Sequence, residues 1–264
     1  MYALILAGAQ GIKGVKEDSG YKAGLNVGKR TMLGRVINAV AGLKEIEGLI
    51  MVGPEKLLAK EERSRLQHVV EPGVSFFDNL DRGMKKAPGE GKVLIVASDI
   101  PLITTEACRD FLRQCQKREA DLYYPVIPKK EYERMFPGSR RTYAVLKDGT
   151  YTGGNMVLMS TEFFRRHRNL IRIALKLRKL PWILVVIRFG AGFWRAFARR
   201  EVGIGDIERM MQDKYKVNGA AVVSSFPEMG FDVDNREDAA WIRFYWAGVM
   251  DGWKRREEPD EWFM

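Results

Sequence analysis

The chain has 264 residues, 46% apolar and 30% charged, with a formal net charge of +10. That length allows a sizeable core in one large domain, and the balance reads as soluble and globular, which excludes a disordered or fibrous chain. Cys108 and Cys115 share one helix face with no second pair to complete a zinc site. The run Tyr2–Ala7 is too short, and lacks the basic lead, for a signal peptide, so free or buried thiols and a cytoplasmic location are expected.

Apolar runs predict strands at Tyr2–Ala7, Gly48–Val52, Gln67–Val70, Val93–Ala97 and Leu122–Ile127. Helical patterns fall between them, over 31–43, 54–65, 75–86 and 104–118, with Ser75 and either Thr104 or Thr105 as N-caps. Strands alternating with helices imply βαβ units and a mostly parallel sheet, whose ligands bind beyond the carboxyl ends of the strands. From about residue 129 the rhythm changes. Tyr143–Leu146 and Asn155–Met159 read as strands around the turn Lys147-Asp148-Gly149-Thr150. A helix over at least 162–179, another over 204–215, a strand at Ala220–Ser224 and a closing helix from Asn235 follow, the last capped by Asn235 with Asp238. One α/β domain over 1–264, with a variable acceptor or insertion region at about 129–215, is the simplest organisation.

Three segments carry candidate chemistry. The first strand runs into Leu6-Ala7-Gly8-Ala9-Gln10-Gly11, where small residues let backbone N–H groups approach phosphate oxygens. Neither the Walker nor the dinucleotide pattern is present, so this loop alone reads equally as a phosphate site or a tight turn. Lys22, between the loop and the first helix, can fold over a triphosphate, whereas Lys13, Lys16, Lys29 and Arg30 read as solvated surface. Ser98-Asp99-Ile100-Pro101 ends a buried strand, and a carboxylate there is costly unless paired, ligated or in a cleft. Asp99 is therefore the sharpest metal candidate, against the alternative that it caps the helix near 104. Asp232 and Asp234 alternate in an extended stretch, so one of them, Asp232 by preference, completes a Mg2+ site, unless the pair only caps the last helix.

These motifs resemble the molybdenum-cofactor guanylyltransferase-like (MobA-like) NTP transferase family. Its members carry a strand into a glycine loop, a lysine before a Gly-Lys-Pro-Leu-type stretch, a strand ending in Asp-x-Pro, and an acidic run before the last helix. Here these are Leu6 to Gly11, Lys22, Val27 to Leu33, Asp99 to Pro101, and Asp232 to Asp238. The resemblance covers about 1–128 and 216–245. It implies a three-layer Rossmann-like fold of the nucleotide-diphospho-sugar transferase or glycosyltransferase-A type, and transfer of a nucleotidyl group from an NTP to a phosphorylated acceptor with release of pyrophosphate. It also implies nucleotide contacts from Leu6, Ala7, Gly8, Ala9, Gly11, Lys22, Asn79 and Ser98, and acceptor contacts from Gly154 and Asn155. Lys22 and Asp99 would be catalytic, with Mg2+ on Asp99 and Asp232. For Gly154 and Asn155 a plain glycine turn competes with the acceptor role, and for Asn79 a helix-surface position is favoured. Ala9 stands where the family has a second glycine, and the loop lacks the family's arginine, with Lys13 and Lys16 as the nearest bases.

Residues 161–200 hold eleven arginines and lysines against one acid, Glu162, and so carry the whole net charge. Phe163, Phe164, Leu170, Ile171, Ala174 and Leu175 recur at helical spacing opposite Arg165, Arg168, Arg172, Lys176 and Lys179, followed by Pro181–Ile187 and Arg188. No apolar run there approaches the ~20 residues of a bilayer span. This basic helical insertion either packs on the domain or on a second subunit, as in a homodimer, or lies on an anionic membrane surface. The second reading points to a membrane-peripheral protein and a lipid-precursor acceptor. Nucleic acid is disfavoured, since no recognition motif accompanies the charge. Two other functions compete. One is a sugar-nucleotide glycosyltransferase, which would want Asp-x-Asp where this chain has Asp-Ile-Pro. The other is a non-catalytic nucleotide- or membrane-binding relative.

Overall fold

The computed structural model describes residues 1–13, 15, 19–139, 141–177 and 191–253. Lys16 and residues 178–190, which include Lys179, Pro181–Ile187 and Arg188, lie outside the described residues.

The chain runs β1 (Tyr2–Leu6), β2 (Asn26–Val27), β3 (Arg30–Thr31), α1 (Met32–Ala41), β4 (Gly48–Val52), α2 (Lys60–Ser64), β5 (His68–Val70), α3 (Phe76–Met84), β6 (Lys92–Ala97) and α4 (Thr105–Cys115). It continues with β7 (Leu122–Pro128), α5 (Lys129–Met135), β8 (Ala144–Leu146), β9 (Gly149–Gly153), β10 (Met156–Ser160), α6 (Thr161–Leu177), α7 (Ala191–Ala198), α8 (Ile204–Tyr215), β11 (Gly219–Val223) and α9 (Arg236–Trp253). Among the described residues nine strands form one sheet in the order β5-β4-β1-β6-β10-β7-β9-β8, with β11 beside β7. The β5-β4-β1-β6 half is parallel throughout. Beyond β6 the direction reverses: β10 is antiparallel to β6 and β7, and β9 to β7 and β8, while β11 is parallel to β7.

Three layers follow from the sequence of β1. Ala3 and Ile5 join the core on the α1 and α4 side, and Leu4 and Leu6 join the core under α3 and α6. A strand buried on both faces needs apolar residues at every position, as Tyr2-Ala-Leu-Ile-Leu6 supplies. The helices start where short polar side chains cap them. Thr31, Ser75 and Thr104 oxygens accept from the N–H groups of Gly34, Asp78 and Ala107 at 3.0, 3.1 and 3.0 Å. Asp99 does not cap α4, because Thr104 does. At the last helix the expected reciprocal cap forms: Asn235 Oδ1 accepts from Asp238 N–H, and the Asp238 carboxylate accepts from Asn235 N–H.

The structure corrects several element bounds. The helix expected over 54–65 splits into a 3-10 turn at Glu55–Leu57 and the short α2, because Ala59 is extended and its N–H donates to the Glu62 carboxylate at 2.9 Å. Residues 129–135, where no element was expected, form α5, whose Tyr132 is buried. The expected turn at 147–150 is tighter, and Gly149–Gly153 forms β9. In α6, His167 leaves helical geometry (φ −104°, ψ 16°) and its ring lies tilted against that of Phe163, 4.6 Å away. Phe163 and Phe164 are buried under the sheet, and the α6 arginines at 165, 166, 168 and 172 are exposed. Cys108 and Cys115 are free thiols, buried in α4. No described helix is long and apolar enough to cross a membrane.

Candidate active site

The glycine loop leaves β1 and folds back on itself. Gly11 N–H donates to the Gly20 carbonyl at 3.0 Å, and Lys22 N–H to the Ala9 carbonyl at 3.2 Å. This pairing carries Lys22 back under the loop, although ten residues separate it from Gly11. Gly8 sits against Asn79: a Cβ there would lie 2.5 Å from Asn79 Nδ2 and 3.0 Å from Pro72. Asn79 is therefore buried behind the loop rather than on the helix surface, and its Oδ1 accepts from Gly73 N–H at 2.6 Å. Gly11, expected as a phosphate contact, uses its N–H on Gly20. Leu6 faces the core, and its carbonyl accepts from buried Ser98 N–H at 3.3 Å.

The C-terminal half supplies the opposite wall. Val233 N–H donates to the Asp99 carbonyl at 3.0 Å, which holds the 230–234 segment beside the end of β6. Asn155 bridges the two: its carbonyl accepts from Ala97 N–H at 3.0 Å, its N–H donates to Met229 at 2.8 Å, and its amide donates to Gly230 at 3.3 Å. Gly154 N–H donates to the Pro125 carbonyl at 2.9 Å. Gly154 and Asn155, the sequence's acceptor candidates, thus have internal partners for these donors.

Lys22 and Asp99, distant in sequence, meet directly. Lys22 Nζ lies 2.7 Å from Asp99 and also bonds Asp234. The Lys22 and Asp99 side chains are 9% and 19% exposed, and Asp234 is 63% exposed. Asp232, 13% exposed, is paired with Arg141. Asp99, Asp232 and Asp234 each offer one oxygen within 4.8 Å of the others. Burial works to lower the Lys22 pKa, but Asp99 and Asp234 outweigh it and hold the ammonium above its ordinary value. Burial pushes the Asp232 carboxyl up to about 6; Arg141 opposes this, while Asp234 and Asp99 add to it. Asp234 is held low because Lys22 outweighs its own burial.

A cleft of about 720 Å3 opens beside this group, lined by Ala9–Lys13, Lys22 and Asp234–Glu237, so that Lys22 and Asp234 are the members of the group that face it. Its volume suits a small-molecule ligand. Lys13, read from sequence as plain surface, is exposed but lines the cleft, as does Arg236. His68 and His167 do not line it. The sequence reading missed Arg141, and it ranked Asp234 below Asp232 although both lie in the cluster.

An open α/β sheet with a glycine loop, a lysine and carboxylates beyond its strand ends defines the class of Rossmann-like nucleotide-handling transferases. Residues 3–180 match the model of the MobA-like NTP transferase domain, and the chain belongs to that family. It is a nucleotidyltransferase. A hypothetical transferase from Thermus thermophilus is 31% identical, with a TM-score of 0.76 over 90% of this chain and 100% of its own. A 2-C-methyl-D-erythritol 4-phosphate cytidylyltransferase, also from Thermus thermophilus, is 14% identical, with a TM-score of 0.55 over 93% and 98%. A nucleotidyl transferase from Methanothermobacter is 16% identical, with a TM-score of 0.54 over 94% and 98%. The last two share the fold. No curated protein matches the chain.

Proposed function

We propose that the chain moves an NMP group from an NTP to a phosphorylated acceptor and releases pyrophosphate, with Mg2+ as cofactor. The observation that carries this reading is the Lys22 ammonium held between Asp99 and Asp234 where Lys22 lines the cleft.

The residues present fit a magnesium ion. Three carboxylate oxygens lie close together, and such hard donors are what the ion prefers. Asp99 Oδ1 is sheltered from solvent and has no hydrogen-bond partner among the described residues, a costly state that a cation relieves. Asp99, Asp232 and Asp234 would hold the ion, which when bound supplies neutralising charge to phosphate oxygens.

The chain's own groups do the rest by positioning and electrostatics. Ala7 and Gly11 use their N–H groups on Val52 and Gly20, so we assign the phosphate contacts of the loop to Gly8, Ala9 and Gln10. Lys22 has three donors. Two are engaged by Asp99 and Asp234, and the third is available to an α-phosphate oxygen or to the leaving pyrophosphate. An acceptor phosphate is already ionised at neutral pH, so the step needs no protein base, consistent with a cleft lined by neither histidine.

The test is pyrophosphate release from each of the four common NTPs with Mg2+ and a panel of phosphorylated acceptors. At least one pair is expected to release pyrophosphate in step with acceptor consumption. No release from any NTP, with transfer from a sugar nucleotide instead, would overturn the reading.

A further inference from the structure

Building on the transferase reading above, we propose that Arg141 binds the phosphate of the acceptor and thereby selects acceptors that carry a phosphomonoester. Arg141 lies in the connection between α5 and β8, a part of the chain remote from the glycine loop. It meets the carboxylates at Asp232, whereas Lys22 meets them at Asp99 and Asp234. The acidic cluster is thus gripped by two cations from different segments, one from the nucleotide loop and one from the variable half of the chain.

The guanidinium has capacity left. Its Nη1 bonds Asp232 and its Nη2 donates to the Gly153 carbonyl at 3.2 Å. Its Nε is sheltered from solvent with no partner among the described residues. A guanidinium carries five N–H donors in a planar fork that matches phosphate bidentately. The neighbouring candidates Gly154 and Asn155 have their backbone N–H groups committed to Pro125 and Met229. Beneath Arg141 lies the buried Tyr132 ring, 5.5 Å away, with Phe136 against it. This apolar floor lowers the local dielectric and strengthens the attraction for an anion.

In the reaction one oxygen of the acceptor phosphate, oriented by Arg141, attacks the α-phosphorus of the NTP. A new P–O bond forms there. The bond from the α-phosphorus to the bridging oxygen breaks, and its electron pair leaves with pyrophosphate. No proton changes place.

The experiment titrates phenyl phosphate into the full chain by calorimetry. The protein is first saturated with Mg2+ and the non-transferable α,β-methylene analogue of whichever NTP most raises its melting temperature. Arg141→Met is expected to lower phosphate affinity about tenfold or more, and Arg141→Lys by several-fold, since lysine keeps the charge and loses the fork. Affinity for the nucleotide analogue is expected to fall much less in both variants. Arg141→Lys, checked by its melting temperature, serves if Arg141→Met does not fold. Equal phosphate affinity in parent and variants, absence of phosphate binding by the parent, or parallel loss of nucleotide and phosphate affinity would each overturn the assignment. Failure of every NTP to stabilise the parent is a separate result, and it would sink the transferase reading itself.

Discussion

Replacing Lys22 by methionine removes the charge that touches both Asp99 and Asp234 while keeping most of the side-chain volume. Removing one partner of a buried ion pair costs about 3–5 kcal/mol. Here only the Asp99 half is well shielded, because Asp234 is 63% exposed and its half of the contact is worth little in water. The expected loss at neutral pH is therefore about 2–3 kcal/mol, or about 5–10 °C in melting temperature for a chain of this size. The pH dependence has a definite sign. Lys22 is held above its ordinary value of 10.5, so its contribution is complete below 10.5 and disappears as pH rises through the folded value. Asp234 is held below 3.8, so its contribution is complete above 3.8 and disappears as pH falls through the folded value. Both contributions are thus complete between pH 3.8 and 10.5, and the gap between parent and variant closes at both extremes. Urea unfolding with and without Mg2+ measures it. The ion is expected to stabilise Lys22→Met more than the parent, since it replaces the missing charge among three carboxylates. A variant within about 0.5 kcal/mol of the parent at neutral pH, with no extra gain from Mg2+, would refute the claim that Lys22 holds this cluster together.

Asp99→Asn is expected to lower turnover by at least about two orders of magnitude while the fold persists, because it removes the carboxylate shared by the lysine and the ion; pyrophosphate release beside a normal melting curve checks this, and near-parental rates would contradict it. Mg2+ affinity is expected to rise as pH climbs through about 6, because the ion must displace the proton that burial keeps on Asp232. Calorimetry in buffers of different ionisation enthalpy would show proton release on the acid side, and a flat profile would show that Asp232 is not a ligand. Gly8→Ala is expected to cost about 1–3 kcal/mol, since its Cβ would lie 2.5 Å from the Asn79 amide that anchors Gly73. An unchanged urea midpoint would mean that Asn79 moves aside freely.

Chemistry at the strand ends was legible because it sat beside continuous apolar runs. Val93 to Ala97 could only be a buried strand, so the carboxylate at Asp99 demanded a partner, and it has one. The β4 and β1 strands were readable for the same reason, since strands covered on both faces are apolar throughout. Where β9 carries Gly149, two threonines and Gly153, no alternation marks a strand, and the turn reading took its place. The α5 helix was missed because from about residue 129 only a change of rhythm was read, and at Lys129–Met135 the helix is a short, mostly charged segment with one buried residue, Tyr132. Arg141 had no local signature. Its partner Asp232 lies 91 residues away, and the pairing exists only because β9, the 230–234 segment and the end of β6 converge. Asp234 was ranked second for a related reason: alternation places both aspartates on one side, but only the folded loop brings Lys22 to Asp234.

The most direct test is the Mg2+-dependent stabilisation of the protein by each NTP, measured as a shift in melting temperature for the parent and for Asp99→Asn. A cleft that grips a polyphosphate and its ion between Lys22 and the carboxylates predicts a shift that grows with NTP concentration, needs Mg2+, and collapses in the variant. No shift with any NTP, or the same shift in Asp99→Asn as in the parent, would contradict it.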